Sequence, residues 1–400
     1  MQSHPAIPPV GRQVRSVRAA PSGAAAARET SVHSRDRSDV VQQRVSRLPT
    51  PVFTSPAHLG HDGLVELLAG REVRCFESPE RATEIETALR AAGGYELREP
   101  DEHGIDPISA VHDMELIDII EHVYPDAEAG RFPPNGRSLI PDTFRTAAYV
   151  RGHAPAELPS GRRERLGAFC FDTATPIVAG TYAAARAAVD VALSAADSVI
   201  AGAPLAYGLC RPPGHHASRG MFGGYCFFNN AAIVAERLVG LGAERVAILD
   251  VDFHHGNGTQ SIFWERGDVL YVSLHGDPRA AYPYYSGYAS ETGAGAGDGR
   301  TLNLPLPPGT DGAAYLTALR DGLAAIAAFD PDAPLVLSLG FDTFERDPIS
   351  DLALRTDDYT TVAREIAAMG RPIVALQEGG YAVDAIGANA VAFLGGLRGE

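Results

Sequence analysis

The sequence predicts an α/β domain built around a mainly parallel β-sheet with helices on both faces. Five short, mostly apolar runs alternate with longer segments of helical periodicity between residues 51 and 400. Short apolar runs are typical of strands buried on both faces, and their alternation with helices favours a doubly wound sheet. Polar motifs directly follow four of the five runs, which is where ligands bind in such sheets.

The predicted strands span residues 205–210, 245–250, 269–274, 335–339 and 372–376. The predicted helices span residues 180–197, 229–241, 312–329, 357–369 and 383–397.

Two stretches fall outside this pattern. Residues 1–50 contain eight arginines, three acidic residues and few large apolar side chains. They predict a disordered extension, although a transit peptide or a start codon assigned too early would show the same composition. Residues 125–165 lack periodicity and are rich in Pro, Gly and Arg, which predicts a long functional loop.

The composition excludes several classes of function. The chain has 400 residues and a formal net charge of -16, and all 34 of its cationic residues are arginine. Without lysine, Schiff-base, pyridoxal-phosphate and P-loop chemistry are excluded. The acidity argues against a nucleic-acid partner, and it is compatible with a cationic substrate or with solubility alone.

The four cysteines lack C-x-x-C spacing and predict free thiols in a reducing cytoplasm. No apolar run is long enough to predict a membrane span.

Three side chains after the predicted strands form a candidate metal site. Asp252 and His254 are two residues apart, so extended backbone points both side chains the same way. Asp342 follows another strand, which gives two carboxylates and one imidazole. Three protein ligands with one open position are typical of a catalytic metal site, and this ligand set suits Zn(II) or Fe(II).

The neighbouring motifs supply the other groups that a metal hydrolase needs. A bound metal lowers the pKa of water and polarises a carbonyl, and a general base and an oxyanion donor complete the site. The pair His215-His216 offers the base, and Tyr381 offers a phenol donor. Asp250 and Asn257 are candidates to orient the two imidazoles. Each motif alone has an ordinary structural explanation, but their joint occurrence after successive strands predicts an active site.

The motifs resemble those of the histone deacetylase family, and within it those of bacterial acetylpolyamine amidohydrolases and class II deacetylases. The resemblance covers about residues 55–400 and is carried by RPPGHHA (211–217), GGYCFFNN (223–230), LDVDFHHGNGTQ (249–260), SLHGDP (273–278), SLGFDTFERDPIS (338–350) and QEGGY (377–381). It implies a single three-layer catalytic domain over residues 51–400 with the arginase/deacetylase fold. The implied reaction is zinc-dependent removal of an acetyl group from an acetylated amine.

The same resemblance implies individual residue roles. Zinc would be held by Asp252, His254 and Asp342, with His216 as general base, His215 and Asp250 as an electrostatic pair, and Tyr381 on the substrate carbonyl. The substrate tunnel would be lined by Gly224, Tyr225 and Tyr285, and Asp172 would hold backbone amides of the substrate. A structural potassium ion would lie near Ser273, the carbonyls of Leu274 and His254, Asp250 and Asp252. Residues 125–165 would close the active site and mediate dimerisation of a cytoplasmic homodimer.

Three alternatives stay open. Polyamine-type members present a glutamate where this chain has Ala174, and Asp172 resembles the aspartate of peptide-cleaving members, so acyl-lysine peptides are a second substrate class. A ureohydrolase with two manganese ions would need a second carboxylate in the position of Phe344. A non-catalytic acyl-binding protein would have lost a ligand, the base or the tyrosine, and all of these are present.

Overall fold

A parallel sheet forms the centre of the computed structural model, which describes residues 48–131, 133–146, 159–330 and 332–400. Within these residues every pair of neighbouring strands in the eight-stranded sheet is parallel. In spatial order the strands are β4 (Tyr95–Arg98), β1 (Thr50–Phe53), β5 (Leu205–Gly208), β10 (Ile373–Gln377), β9 (Leu335–Leu339), β6 (Val246–Asp250), β7 (Val269–Gly276) and β8 (Thr301–Leu306). A separate antiparallel hairpin pairs β2 (Val65–Leu68) with β3 (Arg71–Arg74).

Helices cover both faces of this sheet. The α-helices of the described part are α1 (Pro79–Ala92), α2 (Asp106–Val111), α3 (Met114–Glu128), α4 (Arg162–Arg165), α5 (Thr181–Ile200), α6 (Asn230–Gly240), α7 (Asn257–Phe263), α8 (Gly312–Phe329), α9 (Thr356–Ala367) and α10 (Val383–Leu397). Short 3-10 turns occur at Pro56–Gly60, Leu166–Ala168 and Gly295–Gly297. Within the described ranges, no helix combines the length and the apolar character needed to cross a membrane.

Alternate residues of the central strands point to opposite faces and build two cores. Val336 of β9 and Val374 of β10 lie in a buried cluster with side chains of α3, α5 and α6. Leu335 and Leu337 of β9 lie in the cluster on the other face, with side chains of α1, α8, α9 and α10. A strand that buries both faces is apolar throughout, as the sequence indicated. The predicted three-layer α/β fold is therefore confirmed.

The central strands and the main helices agree with the sequence prediction, whereas three strands of the main sheet and both strands of the β2–β3 hairpin were missed. The five predicted strands are β5, β6, β7, β9 and β10, and the five predicted helices are α5, α6, α8, α9 and α10. Of the missed strands, β4 and β8 are the two edges of the sheet, where burial is partial and Pro305 is tolerated. The third, β1, has only four residues and includes Pro51.

Both irregular stretches are shorter than expected. The predicted extension was wrong at its end, because Thr50 already belongs to β1, and the prediction for residues 1–47 lies outside the described residues. In the stretch 125–165, α3 continues through Pro125 to Glu128. Near its other end, Arg162 of α4 binds Asp118 of α3 with an Nε–Oδ2 distance of 2.7 Å. Residues 147–158 of the predicted loop lie outside the described part.

A buried ion network ties α1 to the segment that follows β5. Glu77, Arg81 and Arg211 have only 1%, 2% and 3% of their surface exposed. Oε1 of Glu77 accepts a hydrogen bond from Nη1 of Arg81 at 2.8 Å and lies 2.9 Å from Nε of Arg211. One carboxylate therefore pairs with guanidinium groups from two different elements.

Replacing Glu77 with Ala should lower the free energy of unfolding by ~3–5 kcal/mol, because buried guanidinium groups lose their counter-charge. Urea unfolding followed by circular dichroism measures the loss. Glu80→Ala is the matched control: the Glu80–Arg74 pair is exposed, so it should cost at most ~1 kcal/mol. Equal losses for the two variants would show that the buried network does not stabilise the fold.

Candidate active site

Four polar segments meet at one edge of the sheet. They follow β5, β10, β9 and β6, which are direct neighbours in the sheet. The segments are residues 211–216, 377–381, 340–342 and 250–258. Because all four strands are parallel, their carboxyl ends lie side by side. Side chains far apart in the sequence are thereby brought together.

The three predicted metal ligands converge at this edge. One ligand atom from each of Asp252, His254 and Asp342 lies within 4.8 Å of the others. Nδ1 of His254 is 2.9 Å from Oδ2 of Asp342 and 3.4 Å from Oδ1 of Asp252. Both carboxylates are 0% exposed. Ligand atoms around a tetrahedral zinc ion are about 3.4 Å apart, so the spacing suits such an ion.

Backbone amides hold the two carboxylates in place. Asp252 accepts from the N–H groups of His254 at 2.8 Å and Gly379 at 2.7 Å, and Asp342 accepts from that of Phe253 at 2.8 Å. A side chain at Gly379 would collide with both carboxylates, so only glycine allows this approach. The ligands are therefore oriented by the protein itself.

The electrostatics of this cluster favour a bound cation. Burial alone would lower the pKa of His254, yet Asp252 and Asp342 raise that pKa to about 10. Burial, together with the charge of Asp252, raises the pKa of Asp342 to about 7. Two buried carboxylates thus require positive charge between them, and a divalent cation meets that requirement. The donor set fits the metal predicted from the sequence.

The two adjacent histidines have different partners. Nδ1 of His215 lies 3.1 Å from Oδ2 of Asp250, and Nδ1 of His216 lies 2.7 Å from Oδ1 of Asn257. Although burial opposes it, Asp250 and Asp252 raise the pKa of His215 to about 10. Burial and the charge of His215 hold the pKa of His216 well below its usual range. His215 is therefore the cationic member, while His216 is neutral and has Nε2 free to accept a proton.

Tyr381 is held beside the metal ligands by contacts to its backbone and its ring. Its N–H donates to Oδ2 of Asp347 at 2.7 Å, and the guanidinium of Arg81 lies 4.7 Å from the centre of its ring. Arg81 also donates to the carbonyls of Gly380 and Glu378, at 2.5 and 2.7 Å. Burial raises the pKa of Tyr381 well above its usual range, so the phenol keeps its proton and can donate it.

A cavity of about 410 Å³ leads to these groups. Its lining includes the predicted Gly224, Tyr225 and Asp172, together with His216, His254 and Tyr381. The prediction for Tyr285 was wrong. Tyr285 is 92% exposed and does not line the cavity, whereas Tyr282 does. The backbone turns at Tyr284, whose φ is +68°, and this turn leaves Tyr285 outside.

Asp172 joins two walls of the cavity. Its Oδ2 accepts from the N–H of Gly224 at 2.7 Å and from the hydroxyl of Tyr282 at 2.8 Å. Gly224 and Tyr225 both have positive φ values, +57° and +66°. For a tyrosine this backbone is unfavourable and persists only where the surroundings fix it. Asp172 supplies one such restraint, and Thr175, which accepts from the N–H of Tyr225 at 2.9 Å, supplies another.

Of the residues predicted around a potassium ion, Asp250, Ser273 and Leu274 lie on two neighbouring strands, and Asp252 and His254 follow the end of β6. Asp250 at the end of β6 is in register with Ser273 of β7, and Leu274 follows directly. Oδ2 of Asp250 also accepts from the hydroxyl of Tyr271 at 2.9 Å. Asp250, Ser273 and Leu274 are each 0% exposed.

Sequence reasoning missed the role of Glu378. This carboxylate accepts from the N–H groups of Gly214 and His215, at 2.7 and 3.1 Å, and from the hydroxyl of Ser338 at 3.0 Å. It holds the histidine segment against β9 and β10. The sequence does contain a signal for this role, because the QEGGY motif places a carboxylate directly after a buried strand. An unpaired charge is costly there, so such a carboxylate is expected to have partners.

Comparisons with known proteins agree with this geometry. The family model described as the histone deacetylase domain matches residues 75–397. Acetylpolyamine amidohydrolase from Mycoplana ramosa is 44% identical over 348 residues, which are 87% of this chain and 99% of the relative. Acetylpolyamine amidohydrolase 2 from Pseudomonas aeruginosa is 44% identical over 86% of this chain and 98% of its own.

A solved structure shows the same likeness. The acetylpolyamine aminohydrolase from Burkholderia pseudomallei superimposes with a TM-score of 0.81 at 41% identity, covering 87% of this chain and 98% of its own. The match therefore covers nearly the whole length of that relative. This chain is a deacetylase that belongs to the histone deacetylase family.

Proposed function

We propose that this protein is a zinc-dependent deacetylase that hydrolyses the amide of a small acetylated amine, such as an acetylpolyamine, to acetate and the free amine. The observation that carries the proposal is the buried cluster of Asp252, His254 and Asp342, which shares one cavity with His216 and Tyr381. The names of the full-length relatives support the substrate class.

Each side chain of the site has a separate role in the reaction. A divalent cation, when bound to the three ligands, lowers the pKa of a water molecule and polarises the amide carbonyl. Nε2 of His216 accepts the proton of the attacking water, since Nδ1 is engaged with Asn257. His216 then passes this proton to the leaving amine nitrogen. His215, cationic beside Asp250, stabilises the developing negative charge.

Tyr381 stabilises the carbonyl oxygen as it gains negative charge. Its neutral phenol is buried, so its hydrogen bond strengthens in a site from which water is largely excluded. Asp347 and Arg81 restrain the tyrosine, which reduces the reorganisation that catalysis requires.

The positions of Asp172 and Phe344 bear on two alternative functions, the deacetylation of acyl-lysine peptides and the reaction of a ureohydrolase. The oxygens of Asp172 accept from protein groups, namely Gly224, Tyr282 and, at 3.2 Å, the N–H of Ala174. This favours a small amine over a peptide whose backbone Asp172 would have to hold. Phe344 is buried in the core, so the second carboxylate of a ureohydrolase is absent from that position. The structural potassium ion, the homodimer and the cytoplasmic location stay predictions.

Acetate release from a panel of acetylated amines, acyl-lysine peptides and small N-acyl compounds tests this function. The Zn(II)- or Co(II)-loaded protein should hydrolyse the acetylated amines, and Tyr381→Phe should lower kcat by ~10²–10³ because it removes one oxyanion donor. Bound metal and unfolding temperature should be unchanged in the variant. Loaded protein that is inert on the whole panel would contradict the proposal, and full turnover by Tyr381→Phe would contradict the role of the phenol.

A second measurement tests whether Asp172 holds the cavity wall or binds the backbone of a peptide substrate. Asp172→Ala should lower kcat/KM by at least ~10-fold for small acetylated amines and for peptides alike, because Gly224 and Tyr282 lose a charged acceptor. Thr173→Ala is the control, since its exposed hydroxyl binds only the carbonyl of Leu67 among the described residues. A loss confined to peptide substrates would instead identify Asp172 as a substrate-binding residue.

A further inference from the structure

The β2–β3 hairpin buries a carboxylate and exposes leucines, the reverse of the usual pattern. Glu66 of β2 is 0% exposed, whereas the two residues that follow it, Leu67 and Leu68, are 39% and 44% exposed. Burying a carboxylate is costly unless its oxygens have partners. Glu66 is therefore expected to bind a specific group.

That group is the hydroxyl of Tyr225. The hydroxyl donates to Oε1 of Glu66 at 3.0 Å. The other oxygen, Oε2, has no partner with hydrogen-bond geometry in the part of the chain that the structure describes. Burial raises the pKa of Glu66 to about 7, and the bond from Tyr225 partly offsets this rise in pKa. One hydrogen bond thus links a buried carboxylate to a residue of the cavity wall.

The hairpin has attachments that do not involve the Glu66 side chain. Its two strands pair with each other from Val65 to Leu68 and from Arg71 to Arg74. The N–H of Leu67 donates to the carbonyl of Thr173 at 3.4 Å, which ties the hairpin to the segment beside the cavity. The carboxylate of Glu66 is therefore not needed to hold the hairpin, and its direct contact is with Tyr225.

Tyr225 turns its ring to the cavity and its hydroxyl to Glu66. Tyr225 lines the cavity, whereas Glu66 is not among its described lining residues. The ring centre of Tyr225 lies 5.6 Å from that of Tyr381. Two phenols therefore lie side by side at the reactive end of the cavity, and the bond to Glu66 directs one of the two hydroxyls away from it.

The backbone restraints on Tyr225 leave the direction of its hydroxyl open. Thr175 accepts from the N–H of Tyr225, and Asp172 accepts from the N–H of the neighbouring Gly224. Both bonds act on the main chain. A buried tyrosine hydroxyl needs a hydrogen-bond partner, so the hydroxyl points to where a partner is available. The carboxylate of Glu66 is that partner.

We propose that Glu66 is a positioning residue that holds the hydroxyl of Tyr225 outside the cavity. Only the ring of Tyr225 then contacts the substrate chain, and Tyr381 is the phenol that reaches the amide. The inference rests on the proposed deacetylase function, and it adds a residue that acts on substrate binding without touching the substrate. Without Glu66 the hydroxyl would turn towards the cavity to find a partner, and the apolar wall for a methylene chain would be lost.

Steady-state kinetics of the metal-loaded full chain on N-(4-aminobutyl)acetamide test this role. Glu66→Leu should raise KM by ~10-fold, because a buried hydroxyl loses its partner, and leave kcat within about 3-fold. Glu66→Gln keeps an acceptor for the phenol and should retain the original KM. Glu72→Ala, an exposed position on the other strand of the hairpin, is the control and should change neither constant. A lower kcat with unchanged KM in Glu66→Leu, the result of partial unfolding alone, would overturn the positioning role.

A double variant decides whether Glu66 acts through the hydroxyl of Tyr225. Adding Tyr225→Phe to Glu66→Leu removes the hydroxyl that lost its partner, and replacing both members of a hydrogen-bonded pair with apolar groups is nearly neutral. The double variant should therefore return KM to within about 3-fold of the unmodified protein. A double variant as impaired as Glu66→Leu, or more so, would overturn the inference.

Tyrosine NMR separates this inference from the function on which it rests. In protein labelled with carbon-13 at Cζ of tyrosine, the signal of Tyr225 is assigned by its loss in Tyr225→Phe. This signal should move in Glu66→Leu and stay in place in Glu72→Ala. An unmoved signal in Glu66→Leu would overturn the inference even if the protein is an active deacetylase. A moved signal in protein that hydrolyses no acetylated amine would support the placement of Tyr225 by Glu66 and contradict only the deacetylase activity.

Discussion

The architecture of this protein is organised around two carboxylates that cannot both stay charged in a buried site without a cation. Asp252 and Asp342 are fully buried and share one imidazole nitrogen of His254. Their mutual repulsion would destabilise the folded chain if the space between them held no positive charge. Backbone amides prevent the two side chains from turning away. The folded chain thus has a preformed site for a cation. His216 and Tyr381 are positioned next to this site.

The parallel sheet makes this arrangement possible because it brings four strand ends side by side. Glu378 fastens the histidine segment to β9 and β10, and Asp347 fastens Tyr381. These restraints come from residues that do not react, yet they decide where the reacting groups stand. Asp172 adds negative charge to the cavity and holds two of its walls together.

What could be predicted from the sequence depended on whether the information was local. Asp252 and His254 share one strand end, so their common direction followed from the two-residue period of extended backbone. Tyr282 lines the cavity and Tyr285 does not, because the backbone turns at Tyr284. The local sequence of tyrosines and one proline does not specify this turn. The edge strands β4 and β8 were missed for a related reason, since partial burial weakens the apolar pattern.

The metal content of the purified protein tests the central claim most directly. Elemental analysis by mass spectrometry, after incubation with Zn(II) and removal of the unbound ion, should find one zinc per chain. Asp342→Ala should abolish this binding, because two ligands hold zinc far more weakly than three. Phe344→Leu, a change in the adjacent core, should leave the metal content unchanged. Two metal ions per chain, or full retention of zinc by Asp342→Ala, would contradict a single cation held by Asp252, His254 and Asp342.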